Sequence, residues 1–374
     1  MAKSRLKYLC VYVKSIVVGN LKKSMNAGLF VIFASLVILS LIGILSVLSN
    51  GPASSPTATI FNAPTHQIFV TNWASDSVSV INASNYSTVK TITGFKKPLS
   101  IAPLQGKGEI FVANSGSNTI SVISTTTDTI SFNITVGQNP VSMAFTPDSK
   151  LAYVTNSNNT GNISTISVIN TTTYNVVNTI RLQGGSAGGI AISPDGLQAF
   201  VAIVGSKYIA IINTSNSGVN YLYLGEKAHT PCDAYASPNS AYIFIGSCNA
   251  NGVYIINTIT DTLIGNITNI GGGSDPYGSE ITVSPDGSKL LISNVSSISN
   301  SPSGTVSVID TSNYSIYKII NNIGSPYALE FSPNGSRIFI TDYETASLYV
   351  LNATTYSDIK RIHVGLLPSG VAMT

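Results

Sequence analysis

From residue 56 onward, apolar residues come in strand-length runs separated by clusters of Gly, Pro, Asn, Asp, Ser and Thr. Residues 140–185 show one full period. A first strand opens at Pro140, a Thr-Pro-Asp-Ser turn follows, and a second strand, LAYVTN (151–156), ends in Thr155-Asn156. A third strand runs from Ile163 to Asn170, and after a Thr-rich turn a fourth runs from Val176 to Leu182. Runs of this length, bounded by turn residues, predict β-strands rather than helices. SPDG at 193–196 and 284–287 and SPNG at 332–335 read as hairpin turns: Pro presets the backbone, Asp or Asn bonds the turn, and Gly accepts positive φ.

The period recurs. Openings fall at Pro56, Pro98, Pro140, Ser186, Pro231, Pro276 and Pro326, with an eighth, partial one at Pro368. The second strand returns as IFVTN (68–72), IFVANS (110–115), AYVTNS (152–157), AFVAIV (199–204), YIFIGS (242–247), LLISNV (290–295) and IFITDY (338–343). The third returns seven times as well, from VSVIN (78–82) to LYVLN (348–352). Four strands in each repeat of 42–50 residues match the size of a propeller blade. The fold class predicted is all-β: a seven-bladed β-propeller of four-stranded blades, preceded by one N-terminal transmembrane helix. Blades covered on both faces explain runs such as LAYV and YIFI, which do not alternate. Small residues at Ser100, Ser142, Gly189 and Ala328 suit crowding near a propeller axis. The tail, Pro368–Thr374, restarts the first strand and would close the ring in blade one beside Ala58–Phe61; either stretch could be innermost. A solenoid is the rival architecture, but it calls for capping repeats, and the restarted motif calls for closure.

LAYVTN, VSVIDT (306–311) and the SPDG turns resemble the YVTN-type seven-bladed β-propeller repeat, over about residues 56–374. That family is common in archaeal surface-layer and other cell-surface proteins. It is also similar to propeller domains of nitrous oxide reductase and of some quinoprotein dehydrogenases. AFVAIV and YIFIGS lack the Thr-Asn pair, so blades four and five are atypical.

The N-terminus differs in kind. Residues 27–48 are 22 residues without charge or proline. As a helix they would span roughly 33 Å, enough for a bilayer core of about 30 Å. Lys3, Arg5, Lys7, Lys14, Lys22 and Lys23 all precede the run. The positive-inside rule then places 1–26 in the cytoplasm and the body outside, in a single-pass cell-membrane topology. The domains read as a basic tail (1–26), a signal anchor (27–48), a linker (49–55) and a propeller (56–374). A cleaved secretory signal is the alternative, but it calls for a shorter apolar run and a small-residue cleavage site. Residues 6–18 are also apolar and suit the inner membrane surface.

Charge narrows the partners. Of 19 Lys and Arg, six lie in that tail; the remaining 13 face 16 Asp and Glu, a net of −3. A nucleic-acid-binding body needs a basic stripe, so nucleic acid is not an expected partner. Other cell-surface proteins or glycans are, with the membrane engaged through the helix.

Candidate chemistry is sparse. Only His66, His229 and His363 occur, too few for a multinuclear copper site ligated by histidines. HExxH, CxxC and phosphate-loop motifs are missing from the sequence. One cluster departs from the repeat: His229, Asp233, Asp275 and Glu280, where blades four to six begin their inner strands. Asp233 and Glu280 replace the Ser or Gly of other blades. They would bind a divalent cation at the channel mouth through oxygen ligands, or simply line a wet channel. No other cofactor is expected. Tyr277 and Tyr327 would flank a pocket or pack at blade seams. Trp73 would anchor a partner or sit half-buried at a blade edge, and the loop Asn294–Gly304 suits variable contacts.

Cys232 and Cys248 flank the hairpin turn Ser237–Ser240 symmetrically, so a cross-strand disulfide is expected outside the cytoplasm. Twelve Asn-x-Ser/Thr sequons occur: Asn82, Asn85, Asn133, Asn158, Asn162, Asn170, Asn213, Asn266, Asn294, Asn313, Asn334 and Asn352. Many fall in turns after the third strand, where glycans would project outward. The leading functional reading is a membrane-anchored, extracytoplasmic, non-catalytic scaffold. The alternative is a channel-based enzyme or small-ligand or metal-binding protein, such as a lactonase-like hydrolase. A sensor signalling through the helix is disfavoured by a 26-residue cytoplasmic tail.

Overall fold

The computed structural model describes residues 66–157, 163–238, 242–248, 252–268, 270, 280–294 and 304–374. Twenty-eight strands form seven four-stranded antiparallel sheets. In six of them the strands follow chain order from the innermost outward. Each second and third strand is buried almost throughout: Gln67–Asn72 and Ser77–Asn82 in blade one, for example. Fourth strands expose most of their residues and bury one Ile near the end, such as Ile92, Ile134 or Ile362.

The burial follows from where the cores lie. Seven apolar clusters occupy the seven seams between neighbouring blades. Phe69, Val78, Val80 and Ile92 of blade one meet Ile101, Ile110, Val112 and Ile123 of blade two. Both faces of an inner strand therefore touch a neighbour, which is why those runs are continuously apolar.

Blade one settles the open question of closure. Its innermost strand is Pro368–Met373, antiparallel to Gln67–Asn72, with Phe69 opposite Ala372 and Val70 opposite Val371. Among the described residues the C-terminal stretch is the innermost strand of blade one; Ala58–Phe61 and the span 27–48 lie outside the described residues. Among the described residues no helix is long and apolar enough to cross a membrane. Polar contacts lock the closure. Thr71 Oγ1 donates to Leu99 O (2.9 Å) and Ser369 Oγ to Pro98 O (2.9 Å), tying blade one to blade two. A Cβ at Gly370 would lie 2.7 Å from Leu99 O and 2.8 Å from Thr71 Oγ1, so only glycine fits there.

The Thr-Asn signature is a buried polar tie. In blade three Thr155 Oγ1 accepts from Ser142 N (3.0 Å) on the first strand, while Asn156 Nδ2 donates to Thr165 Oγ1 (3.2 Å) and Ser167 Oγ (3.0 Å) on the third. Asn72, Asn114 and Asn294 bond third-strand hydroxyls in the same way. The turns behave as their sequences require. Gly196, Gly287 and Gly335 take φ of +75°, +72° and +67°, and Asp195 Oδ1 accepts from Ser193 Oγ (2.6 Å) and Leu197 N (3.0 Å).

Because the seam between blades seven and one exists only when the tail pairs, truncation after Leu367 should abolish a single cooperative thermal transition. It should also expose blade one to limited proteolysis at temperatures where the full chain resists; an unchanged melting curve would refute this role.

Candidate functional site in the central channel

The seven innermost strands enclose a cavity of about 910 Å³. Superposing their register on the second strands gives equivalent positions. Ile101, Met143, Ile190, Ala234, Ile281, Leu329 and Val371 each pair with the middle of a second strand. The residue before is Ser100, Ser142, Gly189, Asp233, Glu280, Ala328 or Gly370. The residue after is Ala in blades one to four but Tyr235, Thr282 and Glu330 in blades five to seven. The channel wall is therefore apolar and small-residued on one side, and acidic and aromatic on the other.

The first two acids reach across seams. Asp233 Oδ2 accepts from the main-chain N–H of Ile281 (3.0 Å) in blade six, and its Oδ1 from Ala234 N (2.8 Å). The carboxylate of Glu280 accepts from the N–H of Leu329 in blade seven. Innermost strands are sheet edges, so half of their N–H groups face the channel without a ladder partner. These carboxylates supply acceptors. Gly189 makes room for the arrangement, since a Cβ there would lie 2.3 Å from Asp233 Oδ1.

All three acids sit deep in the ring, with only one side open to the channel. Burial pushes Asp233 up to about 6, against the pull of its two N–H donors. Glu280 rises well above the usual carboxylate range through burial, then through the charge of Asp233. Glu330, which no hydrogen bond offsets, is pushed up to about 8 by burial alone. Tyr235 is raised, first by the charge of Glu330 and then by burial. Glu330 and Tyr235 belong to the cluster but escape a search limited to the Asp233 position; the run of alanines two residues further on is the signal that marks them.

Other expected site residues fall differently. His229 is exposed on the connection into blade five, where its N–H donates to the Tyr254 hydroxyl (2.6 Å). Among the described residues no three His, Cys, Asp or Glu side chains are arranged to hold a metal ion. Asp275 and Tyr277 lie outside those residues, as does most of the loop after Asn294. Tyr327 lines the channel and stacks on Tyr343, with ring centroids 5.5 Å apart. Trp73 is half-buried, with the Lys97 ammonium 4.9 Å from its ring centroid.

Cys232 and Cys248 form a disulfide, Cα–Cα 5.6 Å. They are not direct cross-strand partners. Pro231 pairs with Ser247 and Asp233 with Gly246, so Cys232 sits in the bulge between them. The bridge joins the first strand to the end of the second in blade five, where Gly246 leaves no threonine to make that tie.

The chain belongs to the YNCE-like beta-propeller family. That family's model matches residues 31–374. No curated protein matches the chain. Solved structures similar to this YNCE-like propeller include the hydrazine synthase of Kuenenia stuttgartiensis, at 19% identity and a TM-score of 0.66, covering 74% of this chain and 90% of that one. A protein of unknown function from Desulfotomaculum acetoxidans DSM 771 has 14% identity and a TM-score of 0.66, over 82% and 98% of the two chains. A candidate 6-phosphogluconolactonase of Bacteroides uniformis ATCC 8492 has 16% identity and a TM-score of 0.66, over 83% and 100%. At such identities the likeness shows the fold alone.

Two predictions follow from the channel geometry. Asp233 and Glu330 hold protons in the folded state that the unfolded chain releases above about pH 4. Their contribution to stability is full below that pH and is lost as pH rises through about 6 and about 8. Glu330→Gln should therefore flatten the decline in melting temperature between about pH 5 and about pH 9, stabilising the fold at the upper end by on the order of 1–3 kcal/mol; a parallel decline in wild type and variant would contradict it. Replacing both Cys232 and Cys248 with Ser should cost about 2–3 kcal/mol in denaturant unfolding, as expected for a loop of this length, and intact-mass analysis should show two hydrogens gained when the wild type is reduced.

Proposed function

We propose that the YNCE-like propeller is a membrane-tethered, extracytoplasmic scaffold that presents a rigid ring to other cell-surface proteins or glycans. The observation that carries this reading is the charge-free run 27–48 with six basic residues on its N-terminal side and none of the acids. The Cys232–Cys248 disulfide supports the same compartment, because such bonds persist in oxidising surroundings. The channel supports a structural role. Asp233 and Glu280 are engaged by main-chain amides of the next blade, so their hydrogen-bonding capacity serves the ring before any ligand.

A second reading, a small-ligand or catalytic role in the channel, rests on Glu330 and Tyr235, which face the same cavity as the two engaged acids. Glu330→Gln that left every partner interaction intact but removed binding of a small molecule would favour that reading over a scaffold.

The tethering is tested with the full chain carrying a C-terminal tag. It should fractionate with membranes, resist carbonate extraction and lose its tag to protease added outside intact cells. A tag protected until the cells are opened would refute the topology, and a carbonate-extractable chain would refute the anchor.

A further inference from the structure

The two faces of the ring differ in their sequons. Turns after the third strand share one face with the turns between first and second strands. Their main chains bond directly: Thr171 N to Lys150 O (3.0 Å), Thr214 N to Leu197 O (3.0 Å) and Ala353 N to Ser336 O (3.1 Å), among others. The connections between second and third strands, and from blade to blade, form the opposite face.

Four sequons occupy the same position, the last residue of the third strand: Asn82, Asn170, Asn213 and Asn352 in blades one, three, four and seven. In each, the carboxamide oxygen accepts from the N–H two residues on, that of Ser84 (2.8 Å), Thr172 (2.9 Å), Ser215 (3.0 Å) or Thr354 (2.8 Å). The hydroxyl residue of every one of these sequons is exposed. The oxygen is thus committed to the turn, whereas the amide nitrogen, the atom that would carry a sugar, is not used to hold it. The turn itself is fixed in shape: Tyr86, Tyr174, Ser217 and Tyr356 close it at φ of +55° to +61°, with N–H groups bonded back to those same asparagine carbonyls at 2.7–2.8 Å.

Further sequons at Asn85, Asn313 and Asn334 are exposed on the same face. Asn133 and Asn266 lie on outer strands at the rim. The opposite face offers only Asn294 among the described sequons; it is 1% exposed, and its Nδ2 donates to Thr305 and Ser307. Asn158 and Asn162 lie outside the described residues.

We propose that N-linked glycans are attached at Asn82, Asn170, Asn213 and Asn352, so that sugar covers the turn face of the ring while Asn294 stays unmodified within its blade. The proposal rests on the extracytoplasmic reading above. The co-reactant is a lipid-phosphate-linked glycosyl donor. The Asn Nδ2 forms a bond to the anomeric carbon, the anomeric C–O bond to phosphate breaks with its electron pair, and one Nδ2 proton is released as the lipid phosphate departs. A glycan at Asn294 is incompatible with the fold, because the same nitrogen is enclosed and holds two hydroxyls.

The test uses the full chain purified from its native membranes, with glycopeptide mapping by mass spectrometry before and after chemical deglycosylation. Glycan mass is expected on the peptides of all four asparagines and none on Asn294. Asn→Gln at each of the four should remove one glycan mass from the intact protein without shifting its melting temperature by more than the loss of one turn bond. Four unmodified asparagines in a chain whose propeller protease has located outside the cell would overturn the proposal and leave the topology standing. A glycan on Asn294 of the folded protein would overturn the face assignment. A propeller protected inside the cell would overturn the topology and this proposal together.

Discussion

The structure depends on one non-local pairing, that of the last strand with residues 68–72. Among the described residues every hydrophobic core lies between two blades, so a blade has no core of its own. The seam between blades seven and one, built from residues such as Ile68, Val70, Phe339, Leu348 and Val371, forms only when the two ends of the propeller meet. Joining residues about 300 positions apart costs chain entropy, but that cost grows slowly with length, about 0.6 kcal/mol for each doubling. Burying a seventh seam offsets it readily. The polar contacts of Thr71 and Ser369 and the space left by Gly370 then fix which strand enters and in what register.

Much of the architecture is legible in the sequence because it is local. The second and third strands announce themselves by continuous apolar runs, and the SPDG turns by their chemistry. What is not legible is non-local. Ala58–Phe61 and Pro368–Met373 read equally well as a first strand, and nothing in either says which will pair with Gln67–Asn72. The same limit applies to the cysteines. Their spacing reveals the bridge, but not the bulge at Cys232, which sets Pro231 opposite Ser247 and Asp233 opposite Gly246.

The channel repeats that lesson. Asp233 and Glu280 stand out because aligned repeats place Ser or Gly there. Glu330 and Tyr235 are just as discordant with a column of alanines, yet a carboxylate at the end of a Leu-Glu-Phe strand looks like any half-exposed position until the ring brings it opposite Tyr235. The partners of the acids leave no trace at all, being backbone amides of the following blade.

Blades three and five therefore solve one problem in two ways. A blade needs its edge strand tied to the strand beside it and its channel-facing amides supplied with acceptors. Blade three makes the first tie through Thr155. Blade five, with Gly246 in that place, makes it through a disulfide, and the carboxylate of Asp233 serves an amide of the neighbouring blade. Glu280 does the same one blade further on. Deviation from the repeat in this sector is thus largely compensation, and it does not by itself mark a site. Glu330 is the exception. It satisfies no amide, is raised by partial burial with no hydrogen bond to offset it, and raises Tyr235 through its charge. The difference is one of partners: Asp233 and Glu280 hold amides of the next blade, and Glu330 holds none.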